Sequence, residues 1–130
     1  RGPLYDKKDY LMSKEAGLLS ITGPELHSIG IEKALSLVKK RIGNKKAYLT
    51  FDIDFIDPAF APGTGTPEAG GFTGYDAISF IRGLTKVHFI GFDMVEVMPP
   101  YDPAHVTSLL AANIIYEFIS LIAVQKKLNS

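Results

Sequence analysis

The sequence predicts an α/β layer fold built on a mainly parallel sheet. Three observations carry this. Helical and strand periodicities alternate along the chain, as they do where helices connect parallel strands. Two apolar runs, Ala47–Phe51 and Lys86–Val97, read as buried strands. Apolar residues make up 46% of 130, enough for one domain with its own core and too many for a disordered chain.

The elements follow in order. Tyr5 to Gly17 is weakly helical, and Leu18–Thr22 reads as a short strand before the Gly23-Pro24 turn. From Ile29 to Ile42, apolar Ile31, Ala34, Leu35, Val38 and Ile42 recur at the spacing of one helix face. Gly43 suits a C-cap at positive φ and stops that helix. Strand Ala47–Phe51 then runs into an irregular loop from Phe55 to Phe72, with three prolines and four glycines. Loops of that length are uncommon in small domains and tend to carry function. Thr73 is placed to N-cap the next helix, whose face is Ala77, Ile78, Ile81 and Leu84. After the second strand, "PPYDP" breaks the chain, Asp102 caps, and Pro103 takes the first helical position. The last helix runs to about Lys127 and is apolar on more than one face, so it should meet more than one neighbour.

Bulk chemistry excludes several classes. Basic and acidic residues balance at 14 each, which argues against a nucleic-acid or membrane-surface binder. The cluster Lys39, Lys40, Arg41, Lys45 and Lys46 reads as a solvated helix end, where cations are favoured. With no cysteine, there is no disulfide frame and no thiolate metal site. The apolar run "SLLAANIIYEFISLIAV" is interrupted by Asn113 and Glu117 and reads as a buried helix, not a membrane span. The chain opens on Arg1 without a cationic and apolar leader, so it reads as a piece of something longer.

The chemistry gathers at the strand ends. Asp52 and Asp54 close the first strand, and strict alternation would point both to one face. Ligands of parallel sheets bind beyond the carboxyl ends of strands. Two carboxylates held together repel, unless a cation such as a hard divalent metal neutralises them. The alternative for a bare D-x-D is that one Asp caps the loop and the other is exposed. Asp93 and Glu96 close the second strand, on opposite faces if it is regular. An acid beside a pocket can bind a guanidinium with paired hydrogen bonds. His88, inside a strand, reads as a core residue, whereas His27 and His105 fall in turns or first helical turns. No two histidines have a metal-ligand spacing, and no nucleophile elbow, phosphate loop or dinucleotide fingerprint is present. A D-x-D phosphotransfer enzyme would need such a phosphate loop.

"FDIDFIDPAFAPGTGTPEAGG", Phe51–Gly71, is similar to the signature of the ureohydrolases, the arginase and agmatinase family: D-x-D, D-P, T-G-T-P and G-G in order. "GFDMVEVMPPYD" resembles the family's later D-x-x-E-x-x-P segment, and "PPYD" with "PGTGTPE" looks more like agmatinase than arginase. The resemblance covers essentially the whole chain, but only the C-terminal part of the usual domain. It implies an arginase-like three-layer α/β/α fold. It also implies two manganese ions sharing a hydroxide that attacks the guanidinium carbon of agmatine, releasing urea and putrescine. By resemblance Asp52 bridges both ions and Asp54 is a terminal ligand to one. Glu96 holds the substrate guanidinium, and Thr66 lines its pocket. Phe55 departs from the family's usual Gly and adds bulk at the pocket rim.

The family's G-G-x-H and D-x-H-x-D ligand segments, and a His that aids proton transfer, are absent from this sequence. Asp52 and Asp54 alone cannot close a two-metal site, so the isolated chain is expected to be inactive. A non-catalytic module that keeps the fold, or a ureohydrolase acting on another guanidino compound such as guanidinobutyrate, stays open. The resemblance implies a small guanidino substrate; the expected location is the cytoplasm, and the balanced charge leaves no nucleic-acid or membrane partner expected. Unpaired sheet edges imply a homo-oligomer or association with an N-terminal part.

Overall fold

The computed structural model describes residues 6–128, and for 7, 9, 10 and 128 the backbone alone. Helix α1 (Lys7–Glu15) is followed by α2 (Gly23–Ile42), β1 (Lys46–Asp52), a 3₁₀ turn (Ile53–Phe55) and α3 (Gly74–Gly83). Then come β2 (His88–Val95), two short 3₁₀ turns (Pro99–Tyr101 and Pro103–His105) and α4 (Val106–Leu128). The strands pair in parallel, from Lys46 opposite His88 to Asp52 opposite Val95, with an irregularity between Ala47 and Tyr48. Both strands therefore deliver their carboxyl ends to the same place.

Several helix ends follow from local chemistry. The Thr22 side chain accepts from the Glu25 N–H, and the Glu25 carboxylate accepts from the Thr22 N–H, which closes a capping box at the start of α2. Thr73 and Asp76 do the same for α3. The sequence places the α2 start at Ile29; the structure moves it to Gly23. Gly30, at φ 75°, breaks the run into two helical pieces, which hides the first piece from an apolar-periodicity reading. Leu18–Thr22 is not a strand: it is irregular chain leading into that cap, and it has no partner strand among the described residues. Tyr5 and the opening Arg1–Pro3 lie outside the described residues.

One core unites the layers. Leu35 of α2, Ala77 and Ile81 of α3, and Ala111, Ile114, Phe118 and Leu121 of α4 close over Phe51 and Phe89 of the sheet. The Phe118 ring stacks on Phe92 at 4.7 Å between centroids and meets Phe89 edge-on at 6.3 Å. Arg82 of α3 grips Glu117 of α4 through two hydrogen bonds of 2.8 and 2.6 Å, tying the two helices at their rim. Helix α4 is long and apolar enough to cross a membrane by length and mean hydropathy, yet one of its faces lies in this core. It also leaves Leu109, Tyr116, Ile119 and Val124 exposed.

The helices cover the sheet face formed by Ala47, Leu49, Phe51, Phe89, Phe92 and Met94. The other face carries Tyr48, Thr50, Ile90 and Asp93, and Tyr48 and Ile90 are 59% and 64% exposed. That bare face is where the second helical layer of a three-layer fold belongs. His88 corrects the sequence reading: it is exposed, because Val87 and Phe89 take the inward positions on either side of it.

Candidate active site

Asp52 is the last residue of β1, and its register partner Val95 is the last of β2. Strand alternation does not continue to Asp54, which sits in the 3₁₀ turn that begins at Ile53. Asp52 caps that turn, its Oδ1 accepting from the Asp54 N–H at 3.0 Å. The two acids are thus held together by a turn and not by a shared strand face. Part of the alternative reading also holds, since one Asp does cap the loop.

The loop then returns to the acids. The Thr66 hydroxyl donates to Asp54 Oδ2 at 2.9 Å. Glu96 lies just past β2, so it is not a strand residue facing away from Asp93; its φ of 63° is a left-handed conformation that non-glycine residues adopt at a cost. Its carboxylate reaches back toward the loop: a Cβ at Gly65 would lie 3.8 Å from Glu96 Oε2 and 3.0 Å from Met98 Sδ. Thr64 bridges Val97 in antiparallel fashion, and the Met98 N–H donates to the Gly63 carbonyl at 2.8 Å, zipping the loop to the segment after β2. Asp93 stays on the bare sheet face, where its Oδ2 accepts from the Tyr48 hydroxyl at 3.0 Å.

The electrostatics match a group of acids brought together. Burial pushes the Asp52 carboxyl above the usual carboxylate range; the Asp54 N–H opposes this, and the charges of Asp54 and Glu96 add to it. A groove of about 460 Å³ leads to Asp52 and Asp54, lined by Leu26, Val38, Leu49 and Phe55 among others. Phe55 stacks on Phe72 at 4.7 Å, and Phe72 on His27 at 4.1 Å, so the bulk at the rim is held in an aromatic ladder. His27 and His105 are exposed.

Two acids that the sequence reading did not assign to the loop hold its shape. Asp57 accepts from the N–H groups of Ala59, Gly70 and Gly71, closing the loop's base. The D-P and G-G pairs were the available signal, since Asx-type bonding favours such turns. Asp102 does cap α4, but across an intervening 3₁₀ turn in which Ala104 and His105 have φ of 54° and 58°. Its buried carboxylate accepts from the Thr107 N–H, the Ser108 N–H and the Ser108 hydroxyl at 2.8, 2.8 and 2.6 Å. Burial alone would raise its pKa, but the Ser108 and Thr107 donors together outweigh burial and hold it at about 2. A carboxylate whose pKa is depressed in the fold lends stability above its unfolded pKa of about 4 and loses it as pH falls toward 2. The Asp102→Asn variant should therefore show a flatter fall in thermal midpoint between about pH 4 and 2 than the wild type. Parallel slopes would refute this.

Asp52 and Asp54 offer the oxygen donors that a hard divalent cation takes. Among the described residues, no three His, Cys, Asp or Glu side chains form a complete metal-binding group. The two acids therefore fit part of a donor set.

The Arginase family matches residues 1–120. The chain belongs to the arginase family. Its arginase-family relatives include a guanidinopropionase of Pseudomonas aeruginosa, 40% identical over 95% of this chain and 39% of its own length. An agmatinase of Neisseria meningitidis serogroup C is 41% identical over 88% of this chain and 37% of its own length. The solved proclavaminate amidino hydrolase of Streptomyces clavuligerus superposes with a TM-score of 0.87 at 35% identity, over 96% of this chain and 40% of that one. The α/β fold is thus that of the arginase family. The chain spans about two-fifths of the length of the curated relatives it matches.

Proposed function

We propose that this chain is the C-terminal part of a manganese-dependent ureohydrolase that hydrolyses a guanidino compound, agmatine foremost, to urea and an amine. One observation carries the reading. In an arginase-family chain, Asp52, Asp54, Thr66 and Glu96 are gathered at the carboxyl ends of two parallel strands.

Asp52 and Asp54 would hold manganese together with ligands from an upstream segment. Bound there, the metal would supply a lowered pKa for bound water and polarisation of the substrate. The remaining work falls to the chain's own residues. Thr66 fixes the Asp54 carboxylate by its hydrogen bond, and the Asp54 N–H separately holds the Asp52 carboxylate. The Glu96 carboxylate binds the planar guanidinium through paired charge-assisted hydrogen bonds. Gly65 keeps the space beside that carboxylate open. Hydrolysis breaks the bond between the guanidino carbon and the alkyl nitrogen. The water oxygen stays in urea, and the alkyl nitrogen leaves as an ammonium; from agmatine the product is putrescine.

The donor set is incomplete among the described residues, which supports an inactive isolated chain. The bare sheet face with Tyr48 and Ile90, and the exposed Leu109, Tyr116 and Ile119 of α4, support association with the upstream part or with further copies.

A second reading changes only the substrate. A guanidinopropionase and an agmatinase match this chain about equally, at 40% and 41% identity. Measuring kcat/KM of the full-length protein on agmatine, guanidinobutyrate and guanidinopropionate decides between them. Preference for agmatine is expected; preference for a carboxylate-bearing substrate moves the assignment to the second reading, and turnover of none overturns both.

A further inference from the structure

We infer that Asp102 and Thr107 are positioning residues: a buried relay from the start of α4 sets the loop that carries Thr66 and the segment that carries Glu96. This rests on the guanidino-hydrolase reading for its consequence, though not for its geometry.

The relay runs through four contacts. Asp102, 7% exposed, binds the Thr107 N–H and so fixes the first turn of α4. Thr107 is fully buried, and its Oγ1 accepts from the Gly63 N–H at 2.8 Å, across 44 residues of sequence. The Gly63 carbonyl accepts in turn from the Met98 N–H at 2.8 Å, and Thr64 bridges Val97. Two residues before Met98 stands Glu96 with its positive φ; three residues after Gly63 stands Thr66, bonded to Asp54. The loop also rests directly against the relay's first member, since a Cβ on Gly63 would lie 2.6 Å from Asp102 Cβ and 2.9 Å from its Cα.

Capping alone does not account for this arrangement. A cap needs the Asp102 carboxylate and the α4 N–H groups, and nothing in it requires the Thr107 hydroxyl to meet an amide of a distant loop. That hydroxyl satisfies a buried N–H that would otherwise have no partner among the described residues. It also fixes Glu96, whose left-handed backbone persists only where its surroundings over-determine it. Misplacing a binding group by about 1 Å can lower turnover about a hundredfold.

The test uses the manganese-loaded full-length protein and the variants Thr107→Val and Thr107→Ser. Valine removes the acceptor, together with the hydroxyl's lesser bond to Asp102, while keeping the backbone N–H that Asp102 caps; serine keeps all three. In Thr107→Val, amide exchange over residues 61–66 and 96–98 is expected to rise about tenfold, and by clearly less at the start of α4, where the Thr107 N–H and Ser108 bonds to Asp102 remain. KM for the guanidino substrate should rise about tenfold, with manganese content unchanged. Thr107→Ser should restore both. If Thr107→Val does not fold, Asp102→Asn, which keeps one acceptor for the Thr107 N–H and weakens the bonds to Ser108, should raise exchange over residues 61–66 and KM by a smaller factor, with the start of α4 loosened as well. Unchanged exchange over 61–66 overturns the relay. Faster exchange with wild-type KM and kcat overturns its positioning role. Absence of guanidino turnover by the wild type overturns the functional reading and the substrate half of this inference, while the exchange measurement still judges the relay.

Discussion

Replacing Asp52 by Asn in the full-length protein is expected to lower manganese content and cut guanidino hydrolysis about a thousandfold, which corresponds to several kcal/mol of lost electrostatic stabilisation. Asparagine keeps an oxygen that can accept the Asp54 N–H, so the 3₁₀ turn should persist. What it lacks is the charge. The same substitution should act on stability with the opposite sign. Burial, with Asp54 and Glu96 nearby, raises the Asp52 pKa in the fold, so the folded state favours the protonated form. Stability from this group is therefore largest below its unfolded pKa and is lost as pH rises through the folded one. At neutral pH, without metal, the ionised carboxylate opposes folding, and Asp52→Asn should unfold at a higher temperature than the metal-free wild type. Elemental analysis and thermal unfolding in the presence of a chelator measure the two effects. Unchanged manganese content would remove Asp52 from the metal site, and a lower unfolding temperature would contradict the electrostatic reading.

Gly71→Ala should be among the most damaging single-methyl changes in the chain, costing about 3 kcal/mol and lowering the thermal midpoint by roughly 10 °C. A Cβ there would lie 2.4 Å from the Asp57 N, 2.7 Å from its Cα and 2.8 Å from the Ile56 carbonyl carbon. These are backbone atoms, which cannot swing aside. Separating the two segments breaks the bonds from Gly70 and Gly71 to the Asp57 carboxylate and from the Asp57 N–H to the Phe72 carbonyl. That is the base of the loop that carries Thr66. Gly70 provides the control. It has φ 81° but open space around its absent Cβ, so Gly70→Ala bears only the conformational penalty of about 1 kcal/mol. Equal midpoints for the two variants would show that the close approach at Gly71 is relieved without harm.

The sequence made some of this legible and hid the rest for identifiable reasons. Periodicity revealed the face of α3 because Ala77, Ile81 and Leu84 are all buried, and Thr73 showed its cap because the hydroxyl does bond the Asp76 N–H. The first piece of α2 is hidden because its cap signal, Thr22 followed by Pro24 and Glu25, has the residue types of a turn, and Gly30 interrupts the apolar pattern. The exposure of His88 is not legible in the sequence because strand membership does not say which face a residue takes; its buried neighbours Val87 and Phe89 do. At the site, motif resemblance drew attention to Asp52, Asp54, Thr66 and Glu96 as a set. It could not give the devices that assemble them. A 3₁₀ turn in place of strand alternation, a positive φ at Glu96 and the Thr107–Gly63 bond each depend on contacts between segments distant in sequence or on backbone angles that no residue type dictates.

On the proposed reading, this chain carries one part of a guanidino-hydrolysing metal centre and needs upstream residues to complete it. Urea release from agmatine with added Mn²⁺, compared between the 130-residue chain and a form extended upstream through the whole family domain, tests it most directly. Manganese-dependent urea release by the extended form and none by the chain alone is the expected result. Robust turnover by the chain alone, or none by the extended form on agmatine, guanidinobutyrate or guanidinopropionate, would contradict it.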